Sequence, residues 1–388
     1  MAEDSGEKLA YIDAVRGYAI LMVMAVHTSQ AVSGLSAITG RLAEYGQMGV
    51  QLFFVASALT LCLSTAKRNP SLTDFYLRRF FRIAPLYYFG IVIYFSIFIL
   101  RQFVGDRVSG FGSYTPINIA ANLLFVNNYY PPANNTIVPG GWSISMEMSF
   151  YLVFPFLFNW VFSKKRPVRL LAILIAGAAV IGPCLLFIIA HGTGRSFINN
   201  GFLYFSALNQ APTFLIGMLL YAQIKSPSAR VSLSMRVAAF LALTTISLVI
   251  WQSGFEYVFT IIPTIAGLSF CFLVTIVRDL NILRSRVVKS IGRMSYSMYL
   301  FHFIFAWHVS GWLSRNTLKQ FDPDLRLAIL FLFVTTATYL TARVSERVIE
   351  ANGIKLGNFI IQRRYQRRLE DKPLVSPSLD TAPQRWRR

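Results

Sequence analysis

The chain alternates between apolar runs about as long as a bilayer is thick and clusters of basic residues, and this layout constrains its fold more than any other feature. A membrane-crossing helix needs roughly 20 consecutive apolar residues. Hydrocarbon offers no hydrogen bonds, so every backbone N–H and C=O must be satisfied within the span. Ten runs meet this rule, at about 14–33, 46–65, 84–104, 142–162, 168–190, 203–224, 235–253, 255–277, 291–312 and 325–345. Pro155 blurs the end of the fourth, and residues 117–126 read as a short interfacial segment. Only 14% of the residues are charged, whereas a soluble domain carries about a quarter. A soluble enzyme, a disordered chain, a collagen and a coiled coil are therefore excluded. The expected fold is an all-α polytopic membrane protein with about ten transmembrane helices.

Charge then sets the orientation. Lys and Arg number 37 against 17 Asp and Glu, a net charge of +20. In a soluble chain such an excess would point to nucleic acid. Here 30 of the 37 fall in the N-terminal segment and every second segment after it, or in the span ends next to them. By the positive-inside rule both termini are expected to be cytoplasmic, and no nucleic-acid partner is expected. The acidic start MAEDSGEKLA lacks a cleaved signal's layout, so the first span is expected to act as its own insertion signal. Residues 1–350 read as one transmembrane domain, with a long outer loop at 105–141. Residues 351–388 read as a basic cytoplasmic tail, disordered beyond about residue 370 and able to touch anionic lipid. Cys62, Cys184 and Cys271 lie in apolar runs and read as buried fillers. No Walker loop, dinucleotide fingerprint or His/Glu metal spacing occurs, so no metal is expected. Monomer and homodimer both fit the sequence.

Ionisable residues inside spans are costly and mark candidate sites. Arg16 and His27 are eleven residues apart in the first span. At about 100° per residue they share nearly one helix face, roughly 16 Å apart along the axis. Asp13 precedes Arg16 by three residues and can pair with it. His27 is either a packing histidine or a general base, since imidazole titrates near neutral pH. In FYLRRFFRIAPLYY, Arg78, Arg79 and Arg82 crowd together. They are either a topology flank or a phosphate site, for which guanidinium geometry is well suited. In PGGWSISMEMSFYLVFPF, Gly140 and Gly141 allow a tight entry and Ser143 can cap the helix. Ser143, Glu147 and Tyr151 share one face there. Glu147 is expected to steady His27 as it charges. His302, Glu346 and the Asn209–Gln210 pair are weaker candidates. On the outer side Asn127, Tyr129, Tyr130 and Trp142 could stack on or hydrogen-bond a sugar, or form an aromatic belt.

Taken in order, these segments resemble the acyltransferase-3 family of integral membrane acyltransferases over about residues 9–350. The resemblance rests on IDAVRGYAILMVMAVH with Arg16 and His27, on GVQLFFVASALTL from Gly49 to Leu61, and on FYLRRFFRIAPLYY with Arg79 and Arg82. WSISMEMSFYLVFP around Glu147 and SYSMYLFH ending at His302 complete it. There are departures. Met148 stands where the family often has a second acidic residue, Ala58-Leu59 replace a Gly-Phe, and Arg347-Val348 replace a basic-Pro pair.

The resemblance implies transfer of an acyl group, usually acetyl, from acyl-CoA to a sugar hydroxyl of a cell-surface or lipid-linked glycan. On that basis His27, Glu147 and Arg16 are the expected catalytic residues, and Arg78, Arg79 and Arg82 bind the donor acetyl-CoA. Ser143, Trp142, Tyr151, Asn127 and Tyr130 are candidate acceptor contacts, with Asp13 and His302 as weaker members. The rival is a secondary transporter or flippase for a lipid-linked glycan, although Pro155, Pro183, Pro212 and Pro263 show none of the paired breaks of a transporter repeat.

Overall fold

The computed structural model describes residues 3–103, 114–193, 201–226, 231–254 and 256–370. Every regular element among them is helical. In chain order they are α1 (Glu3–Ser29), α2 (Ala37–Tyr45), α3 (Gly49–Arg68), α4 (Leu72–Phe103), α5 (Pro116–Leu123) and α6 (Gly141–Phe162). There follow α7 (Pro167–Thr193), α8 (Gly201–Phe205), α9 (Ala207–Lys225), α10 (Leu233–Gln252) and α11 (Ile262–Asp279). The last are α12 (Arg286–Arg293), α13 (Ser295–Phe303), α14 (Ser310–Asn316), α15 (Pro323–Ser345) and α16 (Ala351–Glu370).

Among the described residues nine helical stretches are long and apolar enough to cross a membrane. The run at 291–312 is not among them, since its Ser, Tyr, His and Trp residues leave the helix too little apolar over the length of a span. It is split at Met294 between α12 and α13, then passes through a π-helical turn at Ile304–Val309 into α14. Such wide turns insert a residue into the α register and often mark working parts of a protein. A second one, Glu346–Glu350, joins α15 to α16. Pro155 does not interrupt its span: α6 continues past it to Phe162.

The helix boundaries extend beyond the apolar runs. The third span starts at Leu72, so the arginine cluster is helical and forms the lower turns of α4. Residues 351–370 form α16, which packs on α4 where Gly353 and Gly357 approach Phe81 and Pro85. The expected disorder beyond residue 370 lies outside the described residues.

Lipid gives helices no hydrophobic reason to associate, so close packing at small residues has to hold them together. At Gly292 an added Cβ would lie 1.6 Å from the Asp13 carbonyl oxygen, and at Gly17 2.4 Å from that of Val288. These two glycines let α1 and α12 cross in backbone contact. Gly49 does the same for α3 against Ala19 of α1, and Gly217 for α9 against Val55 of α3. Burial follows this centre. In the helical stretch ending in α3, 72% of the most apolar window is buried in protein, against 17% in α7 and 6% in α10. The outermost helices face lipid, and Cys184, expected to be buried, is exposed on α7. The chain is a multi-pass integral membrane protein whose polar residues collect where α1, α3, α4, α6 and α13 converge.

Candidate active site

One cavity opens where those five helices meet, with about 710 Å³ of atom-free space counting its mouth. α1 contributes Arg16, α4 contributes Arg79 and Arg82, and α6 contributes Ser143, Glu147 and Tyr151. α3 adds Ser57 and Thr60, and α13 adds Tyr296 and Tyr299. Residues from five separate sequence motifs thus share one space.

Hydroxyl groups hold its charges in place. Arg16 Nη2 donates to Thr60 Oγ1 at 3.2 Å, and that hydroxyl donates on to the Ala56 carbonyl. Arg79 Nη2 donates to Ser64 Oγ at 3.4 Å, and its guanidinium lies 5.7 Å from the ring centres of both Phe75 and Tyr151. Arg79 Nε is buried with no hydrogen-bond partner among the described residues. A buried donor left unmet costs about 1–3 kcal/mol.

Glu147 Oε1 accepts from Tyr151 at 2.5 Å and, very closely, from Ser57. The four-residue spacing of Glu147 and Tyr151 on α6 makes the first contact local. The second spans 90 residues, and no sequence pattern announces it. Ser143 does not cap α6. That position is Gly140, whose φ of +75° suits a residue without a side chain and whose Cβ would stand 2.7 Å from the Tyr299 hydroxyl. Ser143 Oγ lies instead 2.9 Å from the Gly140 carbonyl and 2.8 Å from Tyr299 OH.

His27 lies elsewhere. It sits in the last turn of α1, half-buried and outside the cavity lining. Its ring centre is 4.5 Å from Phe303, 5.3 Å from His302 and 5.7 Å from Trp307. Its Nδ1 is 3.3 Å from Gln30 Oε1. Glu147 is therefore not its partner, because Ser57 and Tyr151 hold that carboxylate on the cavity wall. Tyr299 stands between the two places: it lines the cavity, and its ring centre is 5.7 Å from that of the fully buried His302.

Other expected residues have been redirected. Arg78 Nη1 donates to Asn358 Oδ1 of α16 at 2.9 Å, which turns it away from the cavity. Asp13 makes no ion pair with Arg16 among the described residues, since Arg16 reaches across to α3. Trp142 is buried and stacks on Phe205 at 4.1 Å and 15°. Asn127 is fully buried and accepts from Ser145. Both are packing residues in this structure. Tyr130 is half-buried in the loop before α6. Asn209 and Gln210 both donate to the Tyr204 carbonyl and bind the break between α8 and α9.

Sequence reasoning missed Glu350, which is 6% exposed, accepts from Ser297 at 3.1 Å and interacts electrostatically with Arg82 and Arg16. It lies in the polar-looking segment after the last apolar run, at the end of the second π-helical turn. Gln30 was also missed, although its position three residues after His27 was readable. No group of His, Cys, Asp and Glu suited to a metal occurs among the described residues.

The model of an acyltransferase domain matches residues 9–343, nearly the whole membrane part. The chain belongs to the acyltransferase-3 family. Similar proteins include acyltransferase MdmB of Streptomyces mycarofaciens, 26% identical over 325 residues that cover 76% of this chain and 79% of MdmB. O-acetyltransferase OatA of Staphylococcus aureus (strain MRSA252) is 22% identical, covering 92% of this chain. Peptidoglycan O-acetyltransferase OatA of Listeria monocytogenes is 26% identical, covering 93%. The chain spans only 59% and 57% of the length of these two OatA proteins. No solved structure matches it. Within this family-wide transmembrane domain, the cavity of arginines and Glu147 is the candidate active site of the acyltransferase.

Proposed function

We propose that this acyltransferase moves an acetyl group from acetyl-CoA, taken from the cytoplasm, to a sugar hydroxyl of a cell-surface or lipid-linked glycan at the inner membrane. The observation that carries the reading is the cavity in which Arg16, Arg79 and Arg82 face the same space as Glu147, with Arg79 Nε unpartnered. Coenzyme A brings phosphates, and guanidiniums already steadied by hydroxyls bind them without further ordering. The pantetheine arm then runs along the cavity towards Tyr299.

In the chemical step His27 takes the proton of the acceptor hydroxyl. The oxygen attacks the thioester carbonyl, a C–O bond forms and the C–S bond breaks. The coenzyme A thiolate leaves and recovers the proton from the imidazole. Glu147 acts from the cavity wall as the charge that holds the arginines in register. The arriving thioester must pass Tyr299 to reach His27.

A second reading has one observation in its favour: Glu147, not His27, lines the cavity, so Glu147 itself could be the base. The two differ in what survives mutation. Purified protein in nanodiscs, given radiolabelled acetyl-CoA and a panel of glycans, is expected to yield labelled glycan and free coenzyme A. His27→Ala should abolish both while Glu147→Gln keeps a residue of activity, and the opposite ranking would move the base to Glu147. Glycan translocation with no ester formed would favour the flippase.

A further inference from the structure

The pocket around His27 contains one polar side chain whose orientation is fixed by something other than the histidine. Trp307 Nε1–H donates to Gln30 Oε1 at 2.8 Å. An indole nitrogen can only donate, so the atom it meets must be the carbonyl oxygen of the amide. That same oxygen lies 3.3 Å from His27 Nδ1. An oxygen can only accept, so Nδ1 must carry the hydrogen. In the neutral ring the lone pair is then on Nε2.

From this geometry we infer that Gln30 and Trp307 are positioning residues that select the His27 tautomer, leaving Nε2 as the proton acceptor. The proposal rests on the reading of His27 as general base, and it explains what replaces the carboxylate that orients histidine in other catalytic sets. Gln30 and Trp307 come from different elements: Gln30 follows the end of α1, and Trp307 lies in the π-helical turn after α13. That turn places Trp307 edge-on to His27, with ring planes at 86°, while Phe303 packs at 4.5 Å. The ring is therefore boxed in as well as hydrogen-bonded. Among the described residues the titratable neighbour in the box is His302. Its Nδ1 lies 2.7 Å from the Tyr299 carbonyl oxygen, so by the same logic Nδ1 carries its hydrogen and Nε2 is bare. Two imidazoles that both present bare Nε2 atoms cannot hydrogen-bond each other through them, so His302 does not compete for the His27 lone pair.

A rescue series tests the idea. Gln30→Leu removes the acceptor, and Gln30→Glu keeps an oxygen facing Nδ1. With base catalysis supplying typically 10²–10⁴-fold, a ring free to choose the wrong tautomer is expected to cost roughly 10–100-fold in kcat with little change in KM. Gln30→Glu is expected to restore most of it. Trp307→Phe lets the amide flip and present its NH2 to Nδ1, so it should cost activity beside Gln30. The same change should cost several-fold less beside Gln30→Glu, because a carboxylate has no wrong face.

The second readout needs no turnover. The four histidines are few enough for 15N spectra of the protein in nanodiscs to resolve His27, assigned by its loss in His27→Ala. The wild type is expected to show the Nδ1–H form, and Gln30→Leu a shift towards Nε2–H. An Nε2–H signal in the wild type, or equal kcat and spectra in wild type and Gln30→Leu, would overturn the inference even if His27→Ala is dead. Full activity in His27→Ala would instead defeat the general-base reading, and the spectra would then decide the tautomer assignment alone.

Discussion

Two polar regions hang on the same helix, eleven residues apart, and they are built in opposite ways. Around Arg16 the surroundings are hydroxyls and charges from five helices, with Thr60, Ser57 and Tyr151 each holding a charged group. Around His27 they are rings, with one amide as the polar contact. Guanidiniums need acceptors close by to stay charged within a membrane protein, and hydroxyls supply these without cancelling the charge. A proton acceptor needs one free lone pair and one fixed orientation, which tight aromatic packing and a single acceptor provide. On the proposed function, this division separates gripping an anion from handling a proton, with Tyr299 at the border.

The comparison breaks most visibly at His27. His27→Ala is expected to lower acyl transfer by about 100- to 10,000-fold while the protein elutes as the wild type does in detergent. Normal turnover would make the aromatic pocket a packing feature. Next comes the gripping end. Arg79→Ala with Arg82→Ala should raise KM for acetyl-CoA, each lost charged hydrogen bond weighing about 1.5–3 kcal/mol, and Lys at both sites should recover only part. Unchanged donor binding would reduce both residues to topology signals.

The remaining effects are smaller and concern the frame. Gly292→Ala pushes a methyl into the Asp13 carbonyl and should cost about 1–3 kcal/mol, read as a lower midpoint of thermal unfolding. Arg78→Ala sharpens the contrast within the arginine cluster: losing the Asn358 contact should cost about 0.5–1.5 kcal/mol of stability and leave KM for acetyl-CoA as it was. A raised KM would return Arg78 to the donor site. Leu241→Ala, on the lipid-facing α10 and 56% exposed, should change stability by less than about 0.5 kcal/mol.

The membrane fold was legible because spans are read from length and apolarity, and neither depends on a neighbour. The run at 291–312 is split at Met294 and is less apolar than the nine counted spans, and the π-helical turn within it at Ile304–Val309 carries no strong local code. The meeting of Arg16, Arg79 and Glu147 was legible only as three unusual residues within or at the ends of spans. That Glu147 would bind Ser57 rather than His27 was not, since the partners lie on different helices and their approach depends on how α3 and α6 cross.

Sequence alone determined which residues could not be left in lipid, because the cost of an ionisable group there is a property of the group itself. Only the tertiary structure decided which of them face one another. Helix crossings are set by close packing at Gly17, Gly49, Gly217 and Gly292, where backbones touch, and a shift of one turn there would hand every polar side chain a different partner.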